Sequence, residues 1–290
     1  MDSIVVELQT LASESSLMIG EFHHRRHWIK AAAGATTTAL IWPPLEGTWP
    51  LLFAADPPLS RSPEESKSTK PPWYLNAYRR AVIDMHIPDW DPQFLKDFDP
   101  DSYAEQLARS RAQSIVCYCM SHVGLFNYPT KVGKQHQAFD GQNMMQQMID
   151  SCHKRDIAVV LYVSLIFDRW CADQHPEWRI KTHDGKIQGE GGRHGVMCVN
   201  TPYREYVRAF VTEICQTFDF EGLRCDMTFW PWLCFCQHCE ARFAREVGGP
   251  IPRVIDWQDP RWVAFQRARE RWLADFADVA SMTVRKKKKK

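Results

Sequence analysis

The stretch Phe220-Glu221-Gly222-Leu223-Arg224-Cys225-Asp226-Met227 decides the fold. Gly222 to Met227 reads as a short strand, yet it carries an arginine and an aspartate two residues apart. Successive side chains on a strand leave by opposite faces, so Arg224 and Asp226 share one face while Leu223 and Cys225 take the other. Two charges on one face of an otherwise apolar strand fit the carboxyl end of a barrel strand, where side chains point into the active-site mouth. The Coulombic attraction of Arg224 favours an ionised Asp226, which suits a nucleophile and not a proton donor.

Moving outward from that strand, short apolar runs alternate with helical patterns. Ala81 to His86, Ser114 to Tyr118 and Ala158 to Leu165 read as earlier strands, the last apolar enough to be buried on both faces. Between them the spacing predicts a helix over Ser102 to Ala112, with Asp99 or Asp101 near its start, and one over Gly141 to Arg155, where Met144, Met148 and Cys152 recur every four residues. Thr201 and Pro202 open a further helix whose stripe is Val207, Phe210, Val211, Ile214 and Phe218. A last helix runs from Pro260 to Ala280, with Trp262, Phe265, Trp272 and Phe276.

This alternation predicts parallel βαβ units. The expected fold is α/β, a TIM-type (β/α) barrel of which about the first four βα units are present. A closed barrel needs eight units in about 250 residues, so the other four are expected beyond Lys290. An open doubly wound sheet is the alternative, but no G-x-G-x-x-G follows the first strand.

The remainder divides around that partial barrel at 73–285. Residues 1–55 read as an export region and 56–72 as a Pro/Ser-rich linker. Arg285 to Lys290 is a basic run, of which 286–290 are five lysines: a solvated tail or an artefact. Arg25-Arg26-His27-Trp28-Ile29-Lys30 resembles the twin-arginine export signal, and Ala31 to Trp42 behind it is too short to span a bilayer as a mature helix. Small residues near Ala54-Ala55 offer a cleavage region. The resemblance implies a periplasmic or extracellular protein with no membrane anchor once the signal is gone. Hydrophobic residues make up 44% of the chain, with 12 Trp, enough for a sizeable core. The chain has 36 basic and 35 acidic residues; without the terminal run, 30 stand against 35, a net of −5. Such a balance argues against a nucleic-acid partner.

Two family resemblances converge on Asp226. Gly222-Leu223-Arg224-Cys225-Asp226 resembles the fourth-strand motif of the α-amylase superfamily, which implies Asp226 as nucleophile. From about Asp97 to Asp226 the order of features is similar to the α-L-fucosidase family. Ser121-His122-Val123-Gly124-Leu125-Phe126 resembles that family's His-His-Asp-Gly-Phe segment, with His122 at its second His. Val160 to Ser164, followed by Trp170, resembles its third strand and the Trp beyond. Ser121 and Val123 depart from the pattern and put fucose specificity in doubt. The implied substrate-binding residues are His86, Asp84, His122, Trp170 and Arg224, with Trp230 and Trp232 as a wall. Imidazoles pair with hydroxyls and indole faces stack on pyranose rings. Gln188 to Met197, glycine-rich with Arg193 and His194, reads as a loop near the site.

Cys234-Phe235-Cys236-Gln237-His238-Cys239 gathers three thiols in six residues. It resembles the C-x-C-x-x-C element of a β-galactosidase family, which implies a structural zinc. Cys225 is taken as the fourth ligand, with Cys198, Cys171 and His238 as alternatives; disulfides and free thiols remain open.

The expectation is therefore an exported retaining glycoside hydrolase acting on a carbohydrate, with no cofactor for catalysis. A partner carboxylic acid for Asp226 has no motif, although Glu190 and Glu240 are available. If the chain ends at Lys290, little hydrolysis is expected. The alternatives are a non-catalytic carbohydrate-binding or zinc-stapled module, and a metal-dependent hydrolase using Asp84, His86 and His122.

Overall fold

The computed structural model describes residues 5–8 and 72–288. The export region and linker therefore lie outside the described residues, apart from Val5–Leu8 and Pro72. In chain order the elements are β1 (Val5–Leu8), β2 (Arg80–Val82), α1 (Pro100–Arg109), β3 (Ser114–Met120), β4 (Leu125–Phe126) and β5 (Lys134–Gln135). There follow α2 (Met144–His153), β6 (Ala158–Ser164), α3 (Arg169–Gln174), α4 (Tyr203–Thr217), β7 (Gly222–Asp226), α5 (Gln237–Glu246) and α6 (Pro260–Lys288).

Strands β2, β3, β6 and β7 lie side by side, parallel and in chain order. This is the succession of four consecutive units of a (β/α) barrel. β1 adds a further parallel strand beyond β7, with Val5 opposite Gly222 and Leu8 opposite Cys225. The pattern of the first 55 residues does not predict it.

Strand alternation gives the sheet two unlike faces. Ile115, Cys117, Cys119, Val159, Leu161, Val163, Leu223 and Cys225 belong to the main core. That core also takes in Met148 and Cys152 of α2, Phe210 and Ile214 of α4, and Trp272 and Phe276 of α6. The intervening residues Val116, Tyr118 and Tyr162 form a separate small cluster on the inner, barrel-side face, with Met85 and Val160 against it.

Local chemistry explains most helix starts. The Asp99 carboxylate accepts from the Asp101 and Ser102 N–H groups at the head of α1, and Asn143 accepts from Gln146 at the head of α2. At α4 the residue before the helix is Pro202, which makes no side-chain cap. Thr201 stands one residue further out, where its hydroxyl accepts weakly from Tyr203 N–H and donates to the Cys198 carbonyl. β2 is shorter than the pattern implied, and among the described residues β3 is its one strand partner. Past Val82 the chain leaves the ladder, and His86 takes the next backbone contact through its side chain.

Candidate active site

Asp226 ends β7 with its carboxylate on the inner face and its side chain 14% exposed. The Tyr162 hydroxyl donates a hydrogen bond to its Oδ2, and His122 Nε2 lies 3.8 Å from the same oxygen. Tyr162 stands opposite Arg224 on β7 and opposite Tyr118 on β3, and the two tyrosine rings stack at 4.0 Å. Burial, then the neighbouring aspartates, push both phenols well above their ordinary value, so both remain protonated donors.

The hydrogen-bond pattern fixes two imidazole tautomers. Ser164 Oγ has one proton and gives it to the Phe167 carbonyl at 2.5 Å, so its 2.7 Å bond with His122 Nδ1 must be accepted from that nitrogen. Burial, then His86, hold His122 down to about 3, so the ring is neutral. Its Nε2 is therefore a bare lone pair facing Asp226. His86 Nδ1 accepts the His122 N–H at 3.2 Å, which leaves its Nε2–H to donate to Asp84 Oδ1 at 3.2 Å. Burial also lowers the His86 pKa, with Asp84 opposing. The rings of His86 and His122 stack at 3.9 Å and 21°. Two rings stacked face to face cannot aim in-plane lone pairs at one ion, so a metal held by Asp84, His86 and His122 does not fit this arrangement.

The loop carrying His122 is set by close packing. Gly124 has φ +80°, and a Cβ there would lie 2.1 Å from Asp168 Oδ1. Arg169 N–H donates to the His122 carbonyl and Trp170 N–H to that of Val123. Asp168 is fully buried, accepts from Cys171 N–H at the head of α3, and is pushed up to about 7 by burial.

The structure gathers Asp226, His122, His86 and Asp84 at the strand ends, with Arg224 on the same strand face as Asp226. Of the three expected tryptophans, it does not bring Trp170 and Trp230 with them. Trp170 is half-buried and its ring contact is with Tyr206 of α4. Trp230 is half-buried between Trp272 and the Arg269 guanidinium, so it packs against α6. Trp232 is the exposed one, and its ring lies against Gly189. Glu240 is occupied by Ile251 N–H and Arg253, a structural role. Sequence reasoning missed Tyr118, Tyr162 and Ser164. Counting alternate residues from Asp226 and aligning the strands in register would have found the tyrosines.

Cys234, Cys236 and Cys239 converge as expected, but Cys198 completes the group and Cys225 does not. The four buried sulfurs all lie within 4.8 Å of one another, the sole such group of metal-ligand type among the described residues. Cys225 sits between Arg224 and Asp226 on β7, so its thiol leaves by the opposite face into the core, where burial pushes it up to about 12. Asn200 lends the cluster two donors, its backbone N–H to Cys198 Sγ at 3.5 Å and its amide to Cys239 Sγ at 3.3 Å. All ten described cysteines are free thiols in this structure.

Residues 99–227 match the family described as hypothetical glycosyl hydrolase 6, a span from the cap of α1 to the residue after Asp226. Among solved structures the chain is similar to α-L-fucosidase isoenzyme 2 from Paenibacillus thiaminolyticus, at 19% identity and a TM-score of 0.62. That match covers 71% of this chain and 30% of the fucosidase, so this chain spans under a third of its length. The β-galactosidase from Marinomonas ef1 matches at 14% identity and a TM-score of 0.49, over 71% of this chain and 35% of that one. The β-galactosidase from Rahnella sp. R3 matches at 15% identity and 0.49, over 69% and 33%. No curated protein matches. The fucosidase likeness and the order of the parallel strands agree on the fold, a partial (β/α) barrel.

Proposed function

We propose that this chain, whose residues 99–227 match a glycosyl hydrolase family, is a retaining glycoside hydrolase with Asp226 as nucleophile. The observation that carries the reading is the Asp226 carboxylate at the end of a parallel strand, held by Tyr162 and faced by the neutral lone pair of His122. In the first step a carboxylate oxygen of Asp226 bonds to the anomeric carbon as the glycosidic C–O bond breaks. A second carboxylic acid protonates the departing oxygen. Water, deprotonated by the same group, then releases the sugar from Asp226. We assign the second role to Asp84, the other carboxylate at these strand ends, and retention requires it about 5–5.5 Å from Asp226. It bonds His86, and its charge and that of Asp226 both act on His86 and Tyr118. His122 Nε2 accepts from a substrate hydroxyl, because it has no proton of its own to give. The substrate is a carbohydrate; the twin-arginine-like segment supports export of the protein, and cleavage near Ala54-Ala55 would remove β1 from the sheet.

Asp226→Asn and Asp84→Asn, assayed on matched panels of 4-nitrophenyl and methyl glycosides, test the assignment. Asp226→Asn should lower turnover at least about 10³-fold on every substrate cleaved. Asp84→Asn should spare glycosides with an acidic leaving group and lose those with an alkyl one, as expected of a proton donor. Unchanged turnover in Asp226→Asn rejects the nucleophile.

The four-cysteine cluster supports a structural zinc. Zinc–sulfur bonds of about 2.3 Å in a tetrahedron set sulfurs about 3.8 Å apart. Here Cys198 lies 3.4 Å from Cys239 and 3.7 Å from Cys236. Four buried thiols with N–H donors from Asn200 fit that ion, which would join the loop after α3 to the head of α5 and take no part in the chemistry.

A further inference from the structure

The loop after α3, which the sequence marks by its glycines with Arg193 and His194, is pinned at both ends of the stretch from Gly189 to Gly195. Arg179 donates to the Gly189 carbonyl at 3.4 Å, and Arg169 to that of Gly192 at 3.0 Å. Arg193 reaches the His86 carbonyl at 3.4 Å, while Asp168 N–H donates to the Gly195 carbonyl at 2.9 Å. Gly189 (φ +69°) lies so close to Trp232 that a Cβ would meet its ring at 3.0 Å. At Gly195 a Cβ would fall 2.0 Å from that of Ala172. The segment thus runs from the loop after β7 to the loop after β2, across the ends of the strands that carry the site.

At the far end of this segment His194 joins the histidines. Its ring stacks on Phe167 at 6.1 Å and 16°, stands edge-on to His122 at 5.2 Å, and lies 6.2 Å from His86. Its Nδ1 is buried without a hydrogen-bond partner. A buried ring nitrogen left unpaired is destabilising unless something else completes it.

We propose that residues 189–194 form a strap over the sugar site and that His194 on it binds a hydroxyl of the sugar seated against His122 and Asp226. This rests on reading the site as a carbohydrate site. Burial, then Arg193, hold His194 down to about 4, so at neutral pH the ring has one N–H and one lone pair and can pair with a hydroxyl in either sense. Phe167 keeps the ring upright, and the small glycines let the strap approach without side chains filling the space the sugar needs. His194 is in this account a specificity-determining contact and not the proton carrier.

The test uses the full chain. On a 4-nitrophenyl glycoside that the wild type cleaves, His194→Phe keeps the stacking and removes the nitrogens. It should raise KM about tenfold, the worth of one hydrogen bond to an uncharged group, and change kcat less. His194→Gln, which restores a donor and an acceptor, should recover part of that loss. In a second measurement, imidazole ¹⁵N resonances of the wild type are followed during titration with glucose, galactose, mannose, fucose and xylose. The His194 signal should move with at least one of them. An unaltered KM in His194→Phe, together with a still His194 signal, overturns the strap contact and leaves the hydrolase reading in place. A moving signal without hydrolysis of any glycoside keeps the contact and removes the hydrolase. No hydrolysis and no movement overturn both.

Discussion

Asp168 is a carboxyl group with little reason to ionise. It is fully buried, one oxygen accepts the Cys171 N–H, and the other meets the Tyr203 hydroxyl at 3.5 Å. Burial moves it from 3.8 up to about 7. Between those values the folded protein keeps a proton that the unfolded chain gives up. Stability is therefore full below about pH 4 and falls as pH rises toward 7, the reverse of a salt-bridged carboxylate. Asp168→Asn keeps an oxygen for Cys171 and cannot titrate. Urea unfolding from pH 5 to pH 8 should show wild-type stability declining relative to the variant, by on the order of a few kcal/mol. His122 and His194, depressed to about 3 and about 4, pull the other way. They cost stability as pH falls below their ordinary value of 6.5, but they are common to both proteins and cancel in the difference. Parallel pH dependences would mean that Asp168 ionises freely.

The loops between elements are where sequence reasoning and structure part. Strand and helix periodicity are local, so β3, β6, β7 and α4 were legible from residue order, and the side of β7 that bears Asp226 followed from alternation alone. That same alternation, applied to Cys225, would have removed it as a zinc ligand, since it lies between Arg224 and Asp226. Cys198 was not legible as the partner of Cys234, Cys236 and Cys239, because nothing in a loop's sequence says which distant loop it meets. His194 was read as part of a loop near the site, but its place beside His122 was not legible for the same reason, and Trp230 and Trp232 cannot be told apart without knowing where α6 packs. The cysteine cluster makes a prediction at this scale. Protein purified without chelators should carry one zinc per chain by elemental analysis. Cys198→Ser should lose it and lower Tm by more than about 5 °C, as expected when a metal tie between two loops is cut. Cys225→Ser should retain it. Equal zinc content in the two variants would overturn the assignment of Cys198, and loss in Cys225→Ser alone would reverse it.

Across the whole molecule the two sheet faces divide the labour. The outer face meets the helices, and its side chains hold the continuous core in which Leu161 is fully buried. The inner face carries a cluster of three buried residues and the polar groups of the site. In a fold with this division, adjacent residues on one strand should differ in kind. Leu161→Ala opens a cavity in the main core and should cost about 2–5 kcal/mol in urea unfolding. It should leave kcat/KM within about threefold under conditions where the variant stays folded. Tyr162→Phe keeps the ring stacked on Tyr118 and removes one hydroxyl, for about 1 kcal/mol of stability. It strips Asp226 of its hydrogen bond, however, and kcat/KM should fall more than about tenfold on any glycoside cleaved. A strand whose alternate side chains separate stability from turnover in this way is what a barrel wall requires, since one face must stay filled for the fold to persist while the other stays open for substrate. If Leu161→Ala and Tyr162→Phe lose stability and turnover in the same proportion, the inner face is ordinary core and Asp226 has no cleft to serve.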